Sequence, residues 1–239
     1  MRYSIQTRTK TGTIAGITAV ALVMAGFALP AIVGRGVILD LFFILTMLTL
    51  AQLWNLLAGY GGLVSVGQQA FVGMGAHAMF AGVILWGWDP IPAILLEGLA
   101  AVLLAIPTGY FAFRLAGAYF AIGTRVVAEV TRLFVAPWKT LGGGTGSRLP
   151  REAARVMWGT EFIADLFGGR AATARDILAY WLALALAVAV IFGIWALMRS
   201  RAGLALAAVR DNPEAARSVG ARWQLLVQGR EAQIPPDPR

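Results

Sequence analysis

The chain has 239 residues, 59% hydrophobic and 13% charged, with a formal net charge of +8; its mean hydropathy is +0.72. A soluble domain carries about 25% charged residues and at most about half apolar ones, so this composition excludes an ordinary cytosolic globule, a disordered tail and a secreted disulfide scaffold. With no Cys and one His, His77, the sequence offers no thiolate chemistry, no metal-ligand set and no Ser–His relay, and its scattered basic residues form no aromatic-interleaved patch of the kind that binds nucleic acid.

An integral membrane protein is what this leaves, and the spans follow in chain order. A helix needs about 20 apolar residues to cross a bilayer, because lipid cannot satisfy its backbone polar groups. Residues 14–33 carry no charge and follow Arg2, Arg8 and Lys10, which makes them the first span. The uncharged run 41–88 is too long for one span and is punctuated by Gly59-Tyr60-Gly61-Gly62, so it divides into spans over 37–58 and 63–86. Asp89-Pro90-Ile91-Pro92 makes a turn, a fourth span covers 91–113, a fifth and more polar one 117–136, and a sixth 177–198. The expected fold is an all-α, polytopic transmembrane bundle of about six spans over 13–198. Residues 1–12 and 199–223 are then cytoplasmic by the positive-inside rule, and loop 137–175 is external. Within that loop, 151–167 pattern as an amphipathic helix with Val156, Trp158 and Phe162 on the membrane surface.

Three segments hold candidate chemistry. Residues 61–77 mix Gly67, Gly73 and Gly75 with Ser65, Gln68 and Gln69 at membrane depth. They read either as a broken helix along a translocation path or as a small-residue packing face. His77 reads as a packing or interfacial residue. On the fifth span Arg125, Glu129 and Arg132, spaced four and three apart, share one helical face, with Arg125–Glu129 expected as an ion pair. Glu129 joins the translocation-path candidates. Leu141–Ser147 is glycine-rich but lacks the Gly-Lys-Ser/Thr ending of a phosphate cradle and reads as a loop. The third segment is a short capped helix after the sixth span: Asn212 is a good N-cap, Pro213 suits the first helical position, Glu214 favours the dipole and Gly220 suits the stop. A helix this short is marginal alone, which points to docking on a partner.

Glu214-Ala215-Ala216, three residues, then Gly220 resembles the EAA-x-x-x-G loop of ABC-importer permeases. The wider stretch 199–220 is similar to the cytoplasmic loop of the branched-chain amino acid (LivM) type of these permeases. Residues 61–78, 114–132 and 141–146 resemble that type's further signatures, in the expected order. The resemblance implies a membrane permease subunit that translocates branched-chain amino acids, or small polar solutes such as urea or other amino acids, by alternating access. It implies as partners a second permease subunit, separate ATP-binding subunits and an external solute-binding protein, in a bacterial inner membrane with both termini cytoplasmic. It also implies that Arg210, Asp211, Asn212, Glu214, Ala215, Ala216, Arg217 and Gly220 couple to the ATPase. No catalytic residue, metal or cofactor is expected, and the chain itself is not expected to be an enzyme. The sequence departs from the pattern at Arg125, where such permeases carry an apolar or aromatic residue. It departs again at 224–239, a polar, proline-rich tail that cannot span and reads as a truncation or frameshift. Two rival readings are an ion-coupled secondary transporter using the Arg125/Glu129 face and a non-transporting membrane remnant.

Overall fold

A computed structural model describes residues 10–115, 117–142, 157–167 and 171–211, and among these every regular element is helical. In chain order the helices are α1 (Lys10–Ala28), α2 (Arg35–Asn55, prolonged by a π-helical turn Leu56–Tyr60), α3 (Gln68–Trp86), α4 (Pro90–Ala112), α5 (Ala118–Val135), α6 (Thr160–Phe167), α7 (Ala171–Met198) and α8 (Arg201–Asp211). Among the described residues five stretches are long and apolar enough to cross a membrane: Ile14–Ala31, Arg35–Tyr60, Gln68–Trp86, Pro90–Ala112 and Ala171–Met198. Their outward faces carry large exposed apolar side chains such as Ile17, Leu95, Ile106 and Phe192, as expected where lipid is the solvent. The molecule is an all-α, polytopic transmembrane bundle.

The fifth expected span, α5, is not apolar enough to join that set, because one of its faces is charged. It nevertheless runs the length of its neighbours. It follows Arg114, just past the end of α4. Beyond its far end Trp158 donates its backbone N–H to Asp89 Oδ2 (2.8 Å), at the opposite turn between α3 and α4. Eighteen residues make about 27 Å of helix, close to the hydrocarbon thickness. An amphipathic helix crosses a membrane when its polar face looks onto protein or a cavity.

Asp89-Pro90 is the start of α4 rather than a free turn. Asp89 Oδ1 accepts the Ile91 N–H (2.8 Å), a side-chain N-cap, and Pro90 sits at the first helical position, where its missing N–H costs nothing. Gly87, with φ +67°, ends α3 in the left-handed conformation that glycine adopts without strain.

The chain divides into two compact units, residues 1–50 with 159–192 and residues 51–158 with 193–239. In the first, Ile38 of α2, Ile163 of α6 and Ala174, Ile177, Tyr180 and Leu184 of α7 form the core. Tyr180 donates its hydroxyl to Gly26 O (2.8 Å) and Trp181 donates Nε1–H to Phe27 O (3.1 Å), so aromatic donors satisfy carbonyls at the end of α1. Of the expected surface helix over 151–167, the described part is α6, and it buries Thr160 and Ile163 while Phe162 stays exposed; residues 151–156 lie outside the described residues.

Charge is also carried inside α7, which begins at Ala171 rather than at Ile177 and so includes Arg175 and Asp176. Arg35 Nε pairs with Asp176 Oδ2; the Asp176 side chain is 11% exposed and that of Arg35 52%. Arg175 is only at the edge of ion-pair range, 4.0 Å away. Removing the arginine strands a buried carboxylate, whereas neutralising the acid leaves a guanidinium already half in solvent. Arg35→Ala is therefore expected to cost about 1–3 kcal/mol and to destabilise more than Asp176→Asn. Thermal unfolding of the two variants in the same detergent decides this, and a larger loss for Asp176→Asn would contradict the assignment.

Candidate functional site

The site lies in the second unit and starts at the break between α2 and α3. The π-turn Leu56–Tyr60 ends α2, and Gly61 and Leu63 donate back to Leu56 O (3.1 Å) and Leu57 O (3.0 Å). Helical structure resumes at Gln68, so residues 61–67 are not the first turn of the expected 63–86 span. Non-helical backbone at membrane depth survives only where protein or a cavity satisfies it. Here Trp54 Nε1–H donates to Ser65 O (3.0 Å), Val66 N–H donates to Thr124 Oγ1 (3.1 Å), and Gly67 N–H donates to Ser65 Oγ (3.4 Å). Ser65 is buried. Gly67 lies so close to α5 that a Cβ there would meet Thr124 O at 2.3 Å. Val66 and Gly67 thus fasten the break to α5, and Ser65 ties it to Trp54 of α2. Gln68 opens α3 with its Nε2 buried and, among the described residues, unpartnered.

From this junction α3 and α5 run side by side and leave a cleft of about 300 Å³ between them. Gln69, Gly73 and His77, one turn apart on α3, line one wall, and Arg125, Glu129 and Arg132 on α5 line the other. Three of the sequence-predicted path residues, Gln69, Gly73 and Glu129, therefore meet here. Gly75 does not. It looks from the opposite side of α3 onto α4, where a Cβ would come within 2.8 Å of Glu97 Cγ, and Gly82 likewise faces Ala93 and Leu96. The small-residue packing face is realised at Gly75, joined by Gly82, where α4 approaches, while Gly73 lies on another face of α3 and borders the cleft. The sequence reading passed over Glu97, although a lone acid inside the apolar run 91–113 is a visible signal. It is half-buried and makes no ion pair or side-chain hydrogen bond among the described residues.

The ion pair in the cleft is not the one expected. Glu129 binds Arg132, with Arg132 Nη2 to Oε1 at 2.6 Å and Nε to Oε1 and Oε2 both at 3.1 Å. Helical side chains lean toward the N-terminus, so an arginine C-terminal to the acid reaches back to it, and acid-before-base is the favoured order. Arg125 precedes Glu129 and has the unfavourable order. His77 donates Nδ1–H to Gly73 O (2.9 Å), in keeping with a packing role for the ring. Glu129→Gln is expected to leave two guanidiniums on the α5 wall of the cleft with no carboxylate between them and to reduce expression or uptake to a small fraction of wild type. The same substitution at exposed Glu161 serves as control, and unchanged expression and uptake in the Glu129 variant would refute the role.

The chain leading to the third candidate segment becomes helical again after Ser200. The Ser200 Oγ accepts from Ala202 N–H (3.2 Å) and Gly203 N–H (3.4 Å), an N-cap that starts α8. The sequence reading missed this helix, although Ser200 signalled it. α8 packs on the glycine corner that ends α2: Arg210 Nη1 donates to Gly59 O (3.1 Å), the Arg210 stem lies against Gly62, and Leu206 packs over Gly61. Asp211 closes α8. Asn212, Glu214, Ala215, Ala216, Arg217 and Gly220, and with them the expected short capped helix, lie outside the described residues.

Comparison with known proteins reaches across all of these parts. A profile described as "Branched-chain amino acid transport system / permease component" matches residues 36–227, from the start of α2 to beyond the end of α8. The chain belongs to this permease family. It is 30% identical to the high-affinity branched-chain amino acid transport system permease protein LivM of Escherichia coli (strain K12), over 84% of this chain and 50% of that protein. To the LivM of Salmonella typhimurium it is 28% identical, with the same coverage. The chain spans about half the length of these curated relatives. No solved structure gives a significant match. In this permease the cleft, the α2–α3 break and the Ser200–Asp211 helix all fall inside the matched region.

Proposed function

We propose that the chain is the membrane permease subunit of an ATP-driven importer of branched-chain amino acids. One observation carries the reading: the family match is continuous from 36 to 227 and so includes both the α3–α5 cleft and the segment expected to meet the ATPase. In this reading the partners are a second permease subunit, two ATP-binding subunits and an external solute-binding protein. The chain sits in a bacterial inner membrane with both termini cytoplasmic. Residues 13–198 form the permease domain with 137–170 outside, and 199–223 form the coupling loop.

Alternating access supplies the mechanism. Closure of the ATPase pair on ATP displaces the coupling segment, and α8 passes that displacement to the corner Gly59–Gly62 through Arg210 and Leu206. The corner leads directly into residues 63–67, of which Val66 is hydrogen-bonded to Thr124, and from there into the start of α3. A shift at the corner therefore moves one wall of the cleft against the other. A packed junction of this kind transmits displacement because it switches between discrete arrangements rather than deforming smoothly. Glu129 and Gln69 line the path, and Ser65, Gly67 and Gln68 form its moving junction.

The test is labelled-leucine uptake into proteoliposomes that hold the chain with the proteins encoded beside it. Uptake that needs ATP and survives an uncoupler supports the reading. Uptake that collapses with the uncoupler at constant ATP overturns it in favour of ion coupling at the Arg125/Glu129 face.

A further inference from the structure

The charges in the α3–α5 cleft do not cancel. Arg132 is committed to Glu129 through three contacts. Arg125 lines the same cleft and has neither an ion pair nor a side-chain hydrogen bond among the described residues. Two guanidiniums against one carboxylate leave one positive charge. A lysine at this depth could shed its proton; a guanidinium does not, so it needs an anion. Its planar fork matches a carboxylate with two parallel hydrogen bonds.

We infer that the α3–α5 cleft is a solute subsite that takes a carboxylate, and that Arg125 is the residue that binds it. The remaining lining fits the rest of a small amphiphilic solute. Met74, Ala128 and Val135 offer apolar surface. Glu129, held in place by Arg132, still has lone pairs that accept from an ammonium group. About 300 Å³ is at the lower end of small-molecule sites. The ligand class is a small monocarboxylate, with or without an α-ammonium group. This assignment rests on the transport reading above and names the group that this chain's own side chain recognises.

The chain has no Cys, so a single introduced thiol reports on the cleft. A Cβ at Gly73 meets nothing within 4 Å, and so does one at Gly193, outside the cleft. Full-length Gly73→Cys in nanodiscs is labelled with a maleimide in the presence of L-leucine, 4-methylpentanoate (carboxylate only) or isopentylamine (ammonium only). Leucine and 4-methylpentanoate are expected to slow labelling several-fold, and isopentylamine to leave it unchanged. Adding Arg125→Gln should remove the protection, and Arg125→Lys should keep part of it. Gly193→Cys should label at one rate throughout. Equal protection with Arg125→Gln, protection by the amine, or no protection by any compound overturns the subsite. So does protection that appears on adding the partner permease alone, because the anion is then a partner's carboxylate. ATP-driven leucine uptake without leucine protection refutes the subsite and keeps the transport reading. Protection by 4-methylpentanoate in a complex that imports no amino acid does the reverse.

Discussion

Deleting residues 211–220 is expected to abolish co-purification of the ATPase subunit while the chain still inserts in the membrane. By sequence the deleted stretch reads as an N-cap, a first-turn proline and a stop glycine around a helix too short to be stable alone, the pattern expected of a segment that docks on a partner. The deletion removes none of the five apolar spans. Co-expression, extraction and affinity capture on the permease measure the effect, and ATPase retained on the deleted chain would refute the docking role. Arg210→Ala separates docking from transmission. Its guanidinium donates to Gly59 O, inside the described helix, so the variant is expected to keep the ATPase and lose most uptake. Full uptake in Arg210→Ala would remove α8 from the transmission path.

Gly67→Val is the second large effect. The nearest neighbour of a Cβ at Gly67 is Thr124 O at 2.3 Å, with Thr124 C at 2.9 Å, and both are backbone atoms of another helix. A flexible side chain would move aside; a helix backbone does not. Its φ is −107°, which any residue adopts, so the constraint is steric only. Overpacking costs about 1–3 kcal/mol in general, and a valine against a rigid carbonyl belongs at or above the upper end. The substitution also separates α5 from the break and should disturb Val66 N–H to Thr124 Oγ1. The expected result is a lower melting temperature together with lost uptake. Gly73→Val, where a Cβ has open space, should keep the melting temperature. Equal stability of the two valine variants would show that the close approach of Gly67 to α5 is not a constraint.

Much of this architecture is legible along the chain. The spans near 37–58 and 91–113 return as α2 and α4, and the segment near 117–136 returns as the helix α5, with ends shifted by a few residues. Hydropathy and glycine punctuation act locally, and helix ends blur by a residue or two in any case. The start of α7 moved further, to Ala171, because Arg35 compensates Asp176 from another helix, and no hydropathy window along α7 contains Arg35. Ser200 was readable as an N-cap and was missed. Glu97 was readable as a lone intramembrane acid and was also missed.

By itself the sequence determined the membrane class, the order of the spans, the common face of Arg125, Glu129 and Arg132, and the family resemblance. These depend on composition and on helical periodicity, which one segment contains entire. Only tertiary structure decided that Gly73 opens a cleft while Gly75 packs on α4, that Gly67 touches α5, and that α8 sits on the Gly59–Gly62 corner. It also settled that Glu129 takes Arg132, a choice that turned on side-chain lean rather than spacing. A glycine's role is set by what approaches it, and that comes from residues far away in the chain; the partner of Glu129 lies on its own helix, but side-chain conformation rather than spacing decides which arginine reaches it.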